Sequence, residues 1–175
     1  MRAIFAAPAL ALALSLAGAG QAAAPAPKKP IAVERFLGRW YEVARTANAR
    51  QKDCHAPIVQ WSRAKDGKIS VNNICHKGSP DGSPQSFKGT ATVLDAARGR
   101  IQFSFLGGAI KQEYWILDRA DDYSWAIMGT PGGNFVWAFS RKAALTDAEQ
   151  KAMVARIKGL GYSVAKLELA GRKAA

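Results

Sequence analysis

The chain has 175 residues, with 25 Lys and Arg against 13 Asp and Glu for a net charge of +12, and it carries two cysteines and two histidines. Beyond the N-terminus no stretch supplies the ~20 consecutive apolar residues of a membrane-spanning helix. The basic residues are scattered singly apart from PKKP and GRK, which argues against a nucleic-acid-binding stripe and fits a loose, weak attraction to anionic membrane surfaces.

In chain order, residues 1–24 begin with Arg2, continue through Leu10, Leu12, Leu14 and Leu16, and end in small residues. That is the pattern of a secretory signal peptide removed near Ala24. Pro8, Gly18 and Gly20 interrupt the run, so a retained anchor is disfavoured. No cysteine follows the cleavage point, so no lipid anchor is expected, and the exported protein is read as soluble, periplasmic or secreted. Residues 25–32 are Pro-rich and lack apolar periodicity, which suggests a flexible linker. A single domain, 33–170, follows, and 171–175 are expected to be a disordered tail.

The domain breaks into short strand-like runs closed by Gly, Pro or Asp: WYEVART (40–46), PIVQWSR (57–63), KISVNNICH (68–76), QSFKGTATVLD (85–95), RIQFSFL (100–106), KQEYWILD (111–118), DYSWAIMG (122–129) and NFVWAFSR (134–141). Asp66-Gly67, the Gly78 to Pro84 stretch, Gly107-Gly108 and Pro131-Gly132-Gly133 are good reversal chemistry, so successive strands should pair antiparallel. Thr146 and Glu149 form a capping-box signature ahead of Met153, Val154, Ile157 and Leu160, predicting a helix that Gly159 and Gly161 end. A last apolar run, YSVAKLEL (162–169), predicts a ninth strand. The fold class is therefore all-β: an eight-stranded antiparallel up-and-down barrel with one C-terminal α-helix packed outside and a short final strand.

Cys54 and Cys75 are each followed by histidine, His55 and His76. Two Cys and two His could in principle hold zinc, but adjacent Cys-His pairs lack the loop spacing that lets both residues of a pair reach one ion, and an exported chain favours a disulfide. No metal and no cofactor is expected.

Three motifs then stand together: Gly38-x-Trp40 inside FLGRWYEVAR, the DDY of Asp121, Asp122 and Tyr123, and Arg141 closing WAFSR. In this order and at these strand positions they resemble the lipocalin family, within it the bacterial and apolipoprotein D-like group, over a span from Val33 to about Leu169. Up-and-down pairing brings all three motifs to one end of the barrel. The resemblance implies that Arg141 lies across the Trp40 indole, that Trp40 plugs the floor, and that Gly38 lets the chain turn beneath it. It also implies a carrier, transporting or storing a small lipophilic ligand of the fatty acid or lysophospholipid class, and no catalytic residues.

The ligand-lining candidates are Phe103 and Phe105 on the fifth strand, Tyr114 and Ile116 on the sixth, Trp125 on the seventh, and Phe135, Trp137 and Phe139 on the eighth; Trp61 and Trp115 are left out. The loop 47–56 and the other reversals at that end ring the mouth, where a Cys54–Cys75 bridge would clamp the first loop. Arg50, Lys52, Lys77 and Lys111 stand near the mouth as partners for an acidic head group. Two other functions compete. A lipocalin-fold enzyme would need an activated nucleophile or paired acids in the lumen, whereas Glu42 and Glu113 are isolated. An interaction or stress-protective module with a filled barrel would show an exposed apolar patch.

Overall fold

A computed structural model describes residues 23–27, 29–170 and 172–173. The expected signal peptide lies almost wholly outside them, as do residues 171, 174 and 175 of the expected tail. Eight strands wrap in chain order: β1 (Gly38–Thr46), β2 (His55–Arg63), β3 (Ile69–His76), β4 (Pro84–Asp95), β5 (Arg100–Phe105), β6 (Ile110–Arg119), β7 (Trp125–Gly129) and β8 (Val136–Ser140). Each pairs antiparallel with its neighbour, and β8 returns to β1, so the sheet closes on itself. A helical turn, α1 (Val33–Phe36), precedes β1 and lays the buried Phe36 across the floor.

The capping box forms as expected. The Thr146 side chain accepts from the Glu149 backbone N–H, the Glu149 carboxylate accepts from the Thr146 backbone N–H, and α2 (Asp147–Gly159) follows. The predicted last strand is shorter than its apolar pattern. Residues 164–166 form a 3₁₀ turn, and only β10 (Leu167–Leu169) pairs, against Ala44 to Thr46 of β1. Tyr162, at the start of that run, is buried beside α2 instead. Arg172 and Lys173, in the stretch expected as tail, form a short strand, β11, parallel to β9 (Ala144–Leu145).

Ala24, the last residue of the expected signal peptide, and residues of the segment read as a linker make specific contacts. The Ala24 N–H donates to the Pro131 carbonyl at 3.0 Å, the Ile31 N–H to Ala96 at 2.8 Å, and Arg119 donates to the Pro30 carbonyl. Ile31 is buried in the cluster that fills the barrel.

Two apolar clusters result. One fills the barrel, from Phe36, Trp40 and Tyr123 at the floor through Val71, Ile101 and Ile116 to Phe103 and Phe105. The other lies outside, where Val43, Leu117, Ile127, Val136 and Ala138 meet Met153 and Ile157 of α2. Strands under the helix are thus buried on both faces and lose the polar alternation that would reveal which side faces the lumen.

Candidate functional site

The floor is built by the three motifs. Gly38 has φ of +95°, a conformation in which a side chain would be strained, and a Cβ there would sit 3.4 Å from the Arg141 guanidinium. The turn delivers Trp40 into the barrel, where it is 2% exposed and its indole N–H donates to the Phe36 carbonyl at 2.8 Å. Arg141 covers the ring from below, 3.6 Å from the centroid, and donates to the carbonyls of Arg39, Arg35 and Leu37. Its guanidinium thus ties the chain before β1 to the end of β8 while making a cation–π contact. Tyr123, at φ of +60°, is sandwiched between the guanidinium groups of Arg35 and Arg119, each 4.3 Å from its ring, and its hydroxyl accepts from the Ala32 N–H. Asp122 accepts from the Ser124 N–H and Asp121 from Lys29. Those bonds hold both carboxyls below the ordinary carboxylate range.

Above the floor, aromatic rings touch in a continuous column. Phe36 meets Trp61 at 5.9 Å, Trp61 meets Phe103 at 5.3 Å, Phe103 meets Tyr114 at 4.9 Å, Tyr114 meets Trp137 at 5.6 Å, and Trp137 meets Phe135 at 6.0 Å. A branch runs from Phe103 through Phe105 to Phe87. An apolar cavity of about 30 Å³ remains inside, lined by Trp40, Trp61, Phe103, Met128 and Phe139 among others. That is room for about one or two water molecules.

The mouth carries a buried polar latch. A bulge in β1 between Glu42 and Ala44 turns both Glu42 and Arg45 toward the faces of Phe139 and Trp137. The pair meets at 2.9 Å with side chains 4% and 5% exposed. Gln51, from the first loop, donates to both Glu42 oxygens and accepts from the Trp137 indole N–H at 3.0 Å. Arg45 also donates to the carbonyls of Gln51 and Cys54 and to Glu168. Burial raises the Glu42 pKa above its ordinary 4.5, against the pull of Arg45 and Gln51. Beside this latch β1 leaves β2 after Tyr41 and pairs with β10 from Ala44, and a cleft of about 160 Å³ lined by Tyr41, Glu42, Ile58 and His76 opens there. Cys54 and Cys75 are bonded to each other, fixing the first loop to β3.

Residues 31–171 match the family described as lipocalin-like domain. The chain belongs to the lipocalin family. Temperature-induced lipocalin-1 of Arabidopsis thaliana is 29% identical over 145 residues, covering 79% of this chain and 78% of that protein. The outer membrane lipoprotein Blc of Escherichia coli K12 is 28% identical over 136 residues, 76% of this chain and 75% of that one. Among solved structures, insecticyanin from the tobacco hornworm Manduca sexta superposes with a TM-score of 0.67 at 16% identity, covering 85% of this chain and 84% of its own. The cockroach allergen Per a 4 gives 0.64 at 14% identity, covering 86% and 95%. Lipocalins bind small hydrophobic ligands, and these structural neighbours speak for the shared fold.

In this lipocalin Phe103, Phe105, Ile116 and Phe139 lie in the barrel core, with Tyr114 and Trp137 half-buried against it. Trp125 does not join them. It packs on the outer cluster with Arg156 of α2 4.6 Å above its ring, a correction to its expected inward placement. In WAIMG both faces are buried, so alternation could not choose the side. Phe135 precedes β8 and is 37% exposed at the mouth. Trp61, omitted from the candidates, lines the cavity; its inward side was readable from the face it shares with Val59, between Gln60 and Ser62. The Glu42–Arg45 latch was missed because a bulge, which the sequence does not mark, brings the two residues together.

Proposed function

We propose that this lipocalin binds one small lipophilic ligand, of the fatty acid or lysophospholipid class, inside its barrel, and carries or stores it in the periplasm or outside the cell. The observation that carries the reading is the largely apolar and aromatic interior above the Trp40 plug, interrupted by the Glu42–Arg45 latch near the mouth and closed below by Arg141 lying across the indole. Pockets for such ligands span about 300–1,000 Å³, far above the 30 Å³ cavity here. Binding therefore proceeds through a minor conformation in which Phe103, Tyr114 and Trp137 swing off the axis, with the ligand shifting the population toward it. Arg50, Lys52 and Lys111 then meet a carboxylate or phosphate head group at the rim. Among the described residues nothing in the interior has the arrangement of an activated nucleophile, since Glu42 is engaged by Arg45 and Gln51 and both cysteines are bonded.

The small cavity favours a second reading, a filled barrel that acts through its outer surface. Native mass spectrometry of protein purified from its own host separates the two. A stoichiometric lipid supports the carrier, and protein that is empty and stays empty when offered fatty acids or lysophospholipids supports the filled barrel.

A further inference from the structure

We infer that the open rim of the barrel is a docking surface for an anionic lipid bilayer. Among the described residues seven large apolar side chains are exposed, and four of them, Phe87 at 45%, Leu106 at 64%, Ile110 at 37% and Phe135 at 37%, stand at this one end. Phe87 lies in the first few residues of β4, Leu106 and Ile110 flank the turn from β5 to β6, and Phe135 leads into β8. Strand alternation places Phe87 on the lumen side, stacked on Phe105 at 4.8 Å, and puts Lys88, its neighbour, on the outer side. The same alternation sets Lys111 outward beside Ile110. The lip is thus apolar within and basic without, and Arg50 and Lys52 in the first loop extend the basic ring. Among the described residues none of these four cations has an ion pair, whereas Lys77 is drawn to Asp53.

Leu106 supplies an independent sign. It adopts φ of +50°, a conformation that costs a leucine about 1–2 kcal/mol, yet the residue is 64% exposed and belongs to neither apolar cluster. The fold gains nothing from a leucine there, where asparagine or glycine would be easier. Strain held at an exposed apolar tip indicates a use outside the folded chain. A bilayer satisfies every part of the rim at once: apolar tips enter the boundary between head groups and acyl chains, and the surrounding cations meet lipid phosphates. The aromatic branch from Phe87 to Phe103 would then connect the acyl region with the lumen. That last step rests on the carrier reading, but the docking does not.

Vesicle flotation tests the inference, using phosphatidylcholine alone and phosphatidylcholine mixed with phosphatidylglycerol, at low and high salt. The protein should float with the anionic vesicles and release in high salt. The double variant Phe87→Ser, Leu106→Asn should lose about tenfold or more in partition, since each apolar tip withdrawn is worth that order. Lys88→Glu, Lys111→Glu should lose about fivefold or more per charge. Lys151→Glu, Lys158→Glu, an equal charge change on the exposed side of α2, should change partition less than about twofold. Circular dichroism and denaturation midpoints confirm that each variant is folded, and the asparagine at 106 should not lower the midpoint. The inference is overturned if the Phe87/Leu106 variant floats like wild type, or if the helix charges matter as much as the rim charges, because either result reduces the binding to unspecific attraction by net charge. Fatty acid titration without vesicles reads the carrier proposal separately.

Discussion

Arg141→Ala should loosen the floor by an amount the structure sets. The guanidinium lies 3.6 Å from the Trp40 ring centroid, a contact that contributes about 0.5–2 kcal/mol. Its bonds to the Arg39 and Arg35 carbonyls, both 2.7 Å, are at the exposed rim of the floor, so water replaces the donor and each costs about 0.5–1 kcal/mol. The Leu37 carbonyl at 3.1 Å is part-buried and is left poorly solvated, at about 1–2 kcal/mol. Allowing for overlap between these terms, the loss should be about 3 kcal/mol. Urea denaturation followed by tryptophan fluorescence measures it. Pairing Arg141→Ala with Trp40→Leu in a double-mutant cycle isolates the ring contact, whose coupling should be about 0.5–2 kcal/mol. Arg141→Lys should recover only part, because an ammonium cannot reach three carbonyls while lying flat on an indole. A loss below about 1 kcal/mol with no coupling to Trp40 would refute the stopper.

Removing Arg45 as alanine leaves the Glu42 carboxylate buried without its partner and should cost about 3–5 kcal/mol by the same denaturation assay. Because burial raises the Glu42 pKa above 4.5, its favourable share is complete below that value and fades as pH rises through the folded pKa. Wild type should therefore lose stability relative to Glu42→Gln as pH rises above 4.5 through the raised pKa, and parallel pH profiles would contradict the latch. Glu149 has the opposite sign. Its bonds to Lys142 and Thr146 hold its pKa down to about 2, so α2 should be stable above 4.5 and weaken as pH falls toward 2, a slope that Glu149→Gln abolishes in helix circular dichroism. Reduction of the Cys54–Cys75 bridge, which spans 21 residues, should remove about 3 kcal/mol and free the first loop, seen as faster ligand release before global unfolding. Identical release rates with and without reductant would dissociate the bridge from access to the lumen.

Much of this architecture was legible because local rules agreed with the global one. Turn chemistry at Asp66-Gly67 and Gly107-Gly108 and the Thr146–Glu149 box each spoke for a single structure, and the barrel follows from joining them. The floor was legible because up-and-down pairing brings Gly38, Trp40 and Arg141 to one end and the resemblance to lipocalins implied their roles there. The interior was legible only where one strand face is wet: Ile101, Phe103 and Phe105 alternate with Gln102 and Ser104 and so reveal their side. Under α2 that signal vanishes, and Trp125 was placed on the wrong face. The latch was hidden for another reason. Glu42 and Arg45 are three apart, which in a regular strand sends them to opposite faces, and a one-residue bulge reverses this.

The central claim is that the aromatic column parts to admit a single lipophilic guest. Its most direct test is a titration of lipid-stripped protein with palmitate, followed by the fluorescence of the lumen tryptophans and compared with Trp137→Phe. Saturable one-to-one binding with a spectral change that largely disappears in Trp137→Phe is the outcome expected. Flat fluorescence throughout the soluble range of the fatty acid, with no complex formed, would contradict it.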